Sequence, residues 1–270
     1  MGFRKWSEIK SLSKATDADR AAARSELADE LRSALTTASP RRVDVEIPWR
    51  GALASASQRG HVVGELLPPG FERYLRLFHP FVPWSADSSV PIPASECVRW
   101  AELARRAGVS FGPNLTWRQL ETVLMINADG DRDFAVWEGE LELDTATTLF
   151  ESLAKDDDGG YFLAFGLAAI IGTSAHSSVT YFARSLDDRS AAAQDLDTEV
   201  PGSITTAEYV WPSDRSWIVC TDYDLTSTYV ALDNAGAERL HTQPRLEVVD
   251  VTLETRVDDA ADERLERESA

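Results

Sequence analysis

The sequence predicts an α+β fold: an antiparallel sheet of short strands backed by several helices, with an N-terminal helical arm. Two observations carry this reading. Helical periodicity dominates the first half of the chain and short runs of β-branched and aromatic residues crowd the second, an order that argues against alternating βαβ units. Within that second half, residues 211–230 are the densest strand-forming run, and the sheet is expected to be built on them.

Residues 1–42 form a compositional unit rich in Ala, Arg, Lys and Ser, net basic where the remainder is acidic. Thr16 and Asp19 resemble a capping box, and Ala23, Leu27, Leu31, Ala34 and Leu35 recur at helical spacing. That narrow stripe suits a helix docked on its own acidic domain or a partner-binding arm, including a homodimer through residues 17–36. Ser39-Pro40 ends the arm. Residues 43–257 read as the α+β domain, and the charged residues 258–270 as a frayed tail.

Within the domain, Val43, Val45 and Ile47 alternate with Asp44 and Glu46, giving a short strand stopped by Pro48. Residues 51–64 read as a loop. Phe71, Tyr74, Leu75 and Phe78 share one side of an amphipathic helix expected over 71–78 and broken by His79-Pro80. Ser95 is expected to cap a helix over 97–107 whose Trp100, Leu103 and Ala104 face inward, with Gly108 as its stop. A helix carrying Leu120, Val123 and Leu124 is expected over 117–126, a buried strand over 134–137, and a helix over 145–154 capped by Asp144. Strands follow over 161–171, kinked at Gly166, and over 179–182, whereas 187–203 reads as a mobile polar surface loop. Residues 208–211 and 216–221 form a hairpin around Pro212-Ser-Asp214, and 228–232 add a strand. Asp233 caps a short helix reaching His241, and 246–253 is the last strand.

At 270 residues, 43% of them hydrophobic, the chain can bury a sizeable core. A net charge of −18 argues against nucleic acid as a partner, because phosphate binding needs clustered Lys and Arg; it suits solubility or a basic protein partner. Eight Trp is high: some belong to the core, and others mark a recognition surface. Cys97 and Cys220 lack metal-ligand spacing and read as free buried thiols of a reducing compartment. The N-terminus lacks the apolar segment of a signal peptide, and the longest apolar run, residues 161–172, is too short to span a bilayer. The expectation is a cytoplasmic protein with no membrane partner.

Asn127, Asp129, Asp131, Asp133 and Glu138 imitate the ligand spacing of a calcium-binding helix–loop–helix. However, Arg132 stands where the turn needs Gly, and residues 138–143 do not open a helix, so a solvated acidic loop is the reading adopted. His61, His79, His176 and His241 are scattered, with no i, i+4 pair for a metal. No nucleophile elbow, phosphate loop or dinucleotide fingerprint is visible, and no cofactor, metal or catalytic residue is assigned. The candidate binding residues are Trp211, Asp214, Arg215, Trp217, Asp222, Asp224 and Tyr229, either as an aromatic and charged recognition patch or as a hairpin braced by Arg215 with Asp214 or Asp222.

Residues 67–80 (Leu-Pro-Pro-Gly-Phe-Glu-Arg-Tyr-Leu-Arg-Leu-Phe-His-Pro), Trp-Pro-Ser-Asp-Arg-Ser-Trp at 211–217 and Thr-Tyr-Val at 228–230 resemble an uncharacterised actinobacterial protein family. The resemblance implies no activity. The Pro-led aromatic segment followed by aromatic strands is more loosely similar to the Smi1/Knr4-like (SUKH) proteins, although the Asn-Gly expected after the helix is absent; this similarity implies an immunity-like role against a toxin. The expected function is therefore a non-catalytic, cytoplasmic, protein-binding module. The alternatives are a hydrolase or transferase whose site joins distant Asp, His and Arg residues, and a structural or self-assembling protein acting through the N-terminal helix.

Overall fold

The computed structural model describes residues 40–45, 47–49, 62–84, 92–93, 95–124, 134–154, 159–166, 178–199, 206–222 and 224–257. The expected arm, the tail, the acidic loop 127–133 and most of the 51–64 loop lie outside them. Among the described residues the strands are β1 (Arg41–Val43), β2 (Arg73–Phe78), β3 (Phe81–Pro83), β4 (Phe134–Val136), β5 (Tyr161–Gly166), β6 (Ser178–Ala183), β7 (Tyr209–Pro212), β8 (Ile218–Cys220), β9 (Ser227–Leu232) and β10 (Val248–Val251). The helices are α1 (Val63–Leu66), α2 (Trp100–Ala107), α3 (Leu143–Leu153), α4 (Arg189–Glu199) and α5 (Asn234–His241).

Eight strands make one sheet in the order β1-β6-β5-β7-β8-β9-β2-β10, every pair antiparallel, and β3 and β4 form a separate ribbon. The predicted α+β class is what is observed, and the 211–230 run lies at its centre as β7, β8 and β9. The β7–β8 hairpin pairs Tyr209 with Cys220 and Val210 with Val219.

Both faces of the sheet are covered, which explains why its strands lack a clean apolar–polar alternation. Leu75, Leu163, Val210, Val219 and Val230 face one core, closed by Leu149 and Leu153 of α3, Leu196 of α4 and Leu240 of α5. Phe162, Trp211, Ile218, Tyr229 and Ala231 face the other, closed by Val43, Ile47, Trp49, Val63 and Leu67. A third cluster gathers Phe78, Phe81, Trp100, Leu103, Leu115 and Leu120 beside the end of β2.

Several expectations are corrected. Residues 71–78 are not a helix; β2 is hydrogen-bonded between β9 and β10. Arg76 is fully buried within it, and a cation at an inward position breaks the alternation that would have marked a strand. Residues 187–199 are not a mobile loop: a Ser185–Asp188 capping box opens a turn leading into α4, which buries Ala192, Ala193 and Leu196, and residues 200–203 lie outside the described residues. Alanine is the best helix former, yet two buried alanines and one leucine leave a weak apolar signature. Residues 118–123 form a 3₁₀ helix rather than an α-helix, and β1 begins before Val43. The caps of α2 and α3 are not Ser95 and Asp144 but Glu247 and Glu142. Gly108, in the left-handed region at φ 71°, does stop α2, and Asp233 does cap α5 through Gly236 N–H at 2.6 Å.

Candidate functional site

The sheet distributes the hairpin residues to different environments. Trp211 lies in the core on one face, stacked on Phe162 at 5.4 Å and edge-on to Trp49 at 5.1 Å. Trp217 lies in the core on the opposite face, near Tyr161 and Phe150. Tyr229 is buried on the Trp211 side. The expected aromatic recognition patch is corrected: strand alternation sends these rings inward, because each face of the sheet is roofed. The polar members stay outside. Asp214 and Arg215 are exposed at the β7–β8 turn, where Asp214 accepts from Ser216 N–H at 2.9 Å and Arg215 adopts φ 59°. Asp222 is half-buried, accepts from Asp224 N–H at 3.1 Å, and has its carboxyl pKa raised by burial.

A cleft of about 70 Å³ lies elsewhere, between the end of β2, the starts of α2 and α3, and the segment before β10. Cys97, Arg99, Glu142, Asp144, Arg245 and Glu247 supply its polar groups. Two helix N-termini meet here, and each is capped from outside its first turn. Glu247 accepts from Trp100 N–H at 2.8 Å and Ala101 N–H at 3.0 Å, and Arg99 donates to Pro244 O, fixing the β10 approach against α2. Glu142 accepts from Asp144 N–H at 2.8 Å, Thr145 N–H at 2.9 Å and Thr145 Oγ1–H at 3.0 Å. Burial pushes the Glu247 carboxyl pKa up, against the pull of the amides it accepts from. Burial, then the charges of Glu142, Glu96 and Asp144, push the Cys97 thiol up to about 11. A protonated thiol among carboxylates is no nucleophile; the cleft can accept hydrogen bonds and hold positive charge.

Beneath the cleft runs a buried polar row that sequence reasoning missed. Arg76 donates from Nε to Ser227 Oγ at 2.9 Å and through its guanidinium to Pro113 O at 2.8 Å, and stacks over Phe78 at 4.2 Å. His79, also fully buried, has Nδ1 2.8 Å from Trp137 O and Nε2 3.0 Å from Thr228 Oγ1, which lies 2.8 Å from Thr221 Oγ1. A carbonyl only accepts, so Nδ1 carries a proton and donates to Trp137 O. Trp100 Nε1–H donates to His79 O at 2.6 Å. These groups tie β2 and β9 to the overlying loops. A pocket joining His79 or His176 to Asp222, Asp224 and Arg215 would favour the enzyme alternative; the ring nitrogens of His79 contact Trp137 O and Thr228 Oγ1, and His176 lies outside the described residues. The only signal in the sequence was Arg76 and His79 bracketing an apolar run.

Strand β4 falls inside the calcium-like pattern, and α3 opens only at Leu143, past Glu138, which such a site would place on its exit helix; residues 127–133 of the pattern lie outside the described residues. Among the described residues no group of three His, Cys, Asp or Glu side chains is arranged to hold a metal, and no helix is long and apolar enough to cross a membrane. Comparison with protein-family models, curated proteins and solved structures returned no match.

Proposed function

We propose that the protein is a non-catalytic protein-binding module that meets a basic partner at the rim of the cleft between α2, α3 and the β10 approach. One observation carries the reading: apolar side chains stay exposed beside these carboxylates. Leu143, between cleft residues Glu142 and Asp144, is 38% exposed, and Phe111, packed on cleft residue Phe78 at 5.2 Å, is 37% exposed. Apolar anchors next to acceptors suit a Lys- or Arg-bearing surface, and the net charge of −18 would speed its approach. An immunity-like inhibitor of a basic toxin is one form of this function. The free Cys97 and Cys220 support a reducing, cytoplasmic setting.

The test is affinity capture from host lysate with the wild type and with Leu143→Arg, a surface change at the first residue of α3. A basic protein held by the wild type and lost by the variant, with unchanged far-UV dichroism and melting, is expected. Recovery of the bait alone from both overturns the proposal.

A further inference from the structure

A second cavity, about 300 Å³, opens at the end of the sheet away from that cleft's residues, between α3 and the turn that leads into α4. Phe150 and Tyr161 give it aromatic walls, Leu186 an aliphatic one, and Arg184, Arg189, Glu151 and Asp187 its charges. Its volume stands at the lower end of the range typical of small-ligand sites, roughly 300–1,000 Å³.

Arg189 is the informative residue. Most arginines of the domain are spoken for: Arg73 donates to Asp250, Arg76 to Ser227 and Pro113, Arg105 and Arg106 to Glu102, and Arg239 to Ser152 O. Arg189 is half-buried with its guanidinium 4.3 Å over the Phe150 ring, yet among the described residues no acceptor or ion-pair partner lies within bonding range of it. Burial holds its pKa below the ordinary arginine value, with the Asp187 charge acting the other way. A guanidinium removed from much of its water, with one face spent on an aromatic ring, keeps its in-plane N–H fork for an acceptor that the described residues do not provide. That fork matches a carboxylate, which it can hold through two parallel hydrogen bonds.

We propose that this cavity binds a small organic monocarboxylate with an apolar body, its carboxylate held by Arg189 and its body against Phe150, Tyr161 and Leu186. The lining decides against a phosphate: Glu151 and Asp187 balance the two arginines, so no net positive charge favours a dianion, and the Phe150, Tyr161 and Leu186 walls suit an apolar body that phosphate lacks. The proposal is independent of the protein-binding reading, because no residue of the first cleft lines this cavity.

The experiment is titration calorimetry of the full chain with benzoate, benzamide and inorganic phosphate. Benzoate is expected to bind, and benzamide, its neutral isostere, to bind at least tenfold more weakly. Phosphate is expected to give no saturable heat. Arg189→Lys keeps the charge but loses the fork and is expected to weaken benzoate at least tenfold. Ala154→Phe, which fills the cavity while leaving Arg189 in place, is expected to abolish binding and keeps the test open if the first variant misfolds. No heat with benzoate, equal binding of benzamide, tighter binding of phosphate, or unchanged benzoate affinity in a folded variant each overturns the proposal.

Discussion

Replacing Trp217 with alanine separates a core residue from a recognition anchor. Its ring is 2% exposed, with Tyr161 at 6.0 Å and Phe150 at 6.3 Å between centroids, on the sheet face that α3 and α4 roof. A buried Trp removes about 150–250 Å² from water, which at about 25 cal/mol per Å² is about 4–6 kcal/mol as an upper figure. Measured truncations of this kind cost about 3–5 kcal/mol. Against a total stability of about 5–15 kcal/mol, Trp217→Ala is therefore expected to consume a fifth or more of it and to lower Tm by about 10 °C. Trp217→Phe refines the test. Among the described residues Trp217 Nε1 has no hydrogen-bond partner, so the phenyl ring sacrifices no bond and relieves a buried donor while giving up some contact area. A cost of about 1 kcal/mol is expected for it. The assay is urea unfolding followed by far-UV dichroism, with thermal melts alongside. A loss below about 1 kcal/mol for the alanine variant would refute the core placement.

Two further predictions concern the cleft. Burial raises the folded-state pKa of Glu247 above its ordinary value of 4.5, so the folded chain holds this proton more tightly than the unfolded one. That contribution is present below 4.5 and is lost as pH rises through the raised folded pKa. Glu247→Gln, which cannot ionise, is expected to flatten this decline of stability above pH 4.5 while costing about 1 kcal/mol for a weakened cap; an unchanged slope counts against it. With its thiol pushed up to about 11, Cys97 is expected to react with iodoacetamide at pH 8 at least about tenfold more slowly than a free cysteine, because only the thiolate attacks. Parity with free cysteine in a mass-resolved time course would show that burial and the neighbouring carboxylates exert no such hold.

The fold class and most strands of the second half could be read from sequence because β-branched and aromatic runs mark sheet positions wherever they are buried. The first half misled at β2 for a local reason. Arg73 and Arg76 stand three apart, as on the polar side of a helix, but Arg76 points into the protein and is satisfied by Ser227 and Pro113, partners 151 and 37 residues away. No window of sequence contains them. The helix caps failed in the same way, since α2 is capped by Glu247 from across the chain rather than by the nearby Ser95. For the candidate site, Asp214, Arg215 and Asp224 are exposed and Asp222 is half-buried, whereas the rings are buried. A strand covered on one face would have shown its alternate aromatics, but the cover on the second face comes from Val43, Ile47, Trp49, Val63 and Leu67, whose docking no periodicity announces.

The cleft's charges are committed to structure, yet this does not remove them from recognition. A carboxylate offers about four lone-pair sites. Glu247 uses two on the amides of Trp100 and Ala101, and Glu142 uses three on Asp144 and Thr145, so both retain acceptor capacity in a cleft that Asp144 also lines. Because the N-terminal dipoles of α2 and α3 already offset part of their negative charge, a cation arriving there gains less per carboxylate than at an uncapped acid. Specificity then rests on geometry, with two rigidly held carboxylates flanked by Arg99 and Arg245, which repel a misplaced cation. On the proposed reading, a partner meeting this rim would be selected by where its basic side chains stand, not by its net charge alone.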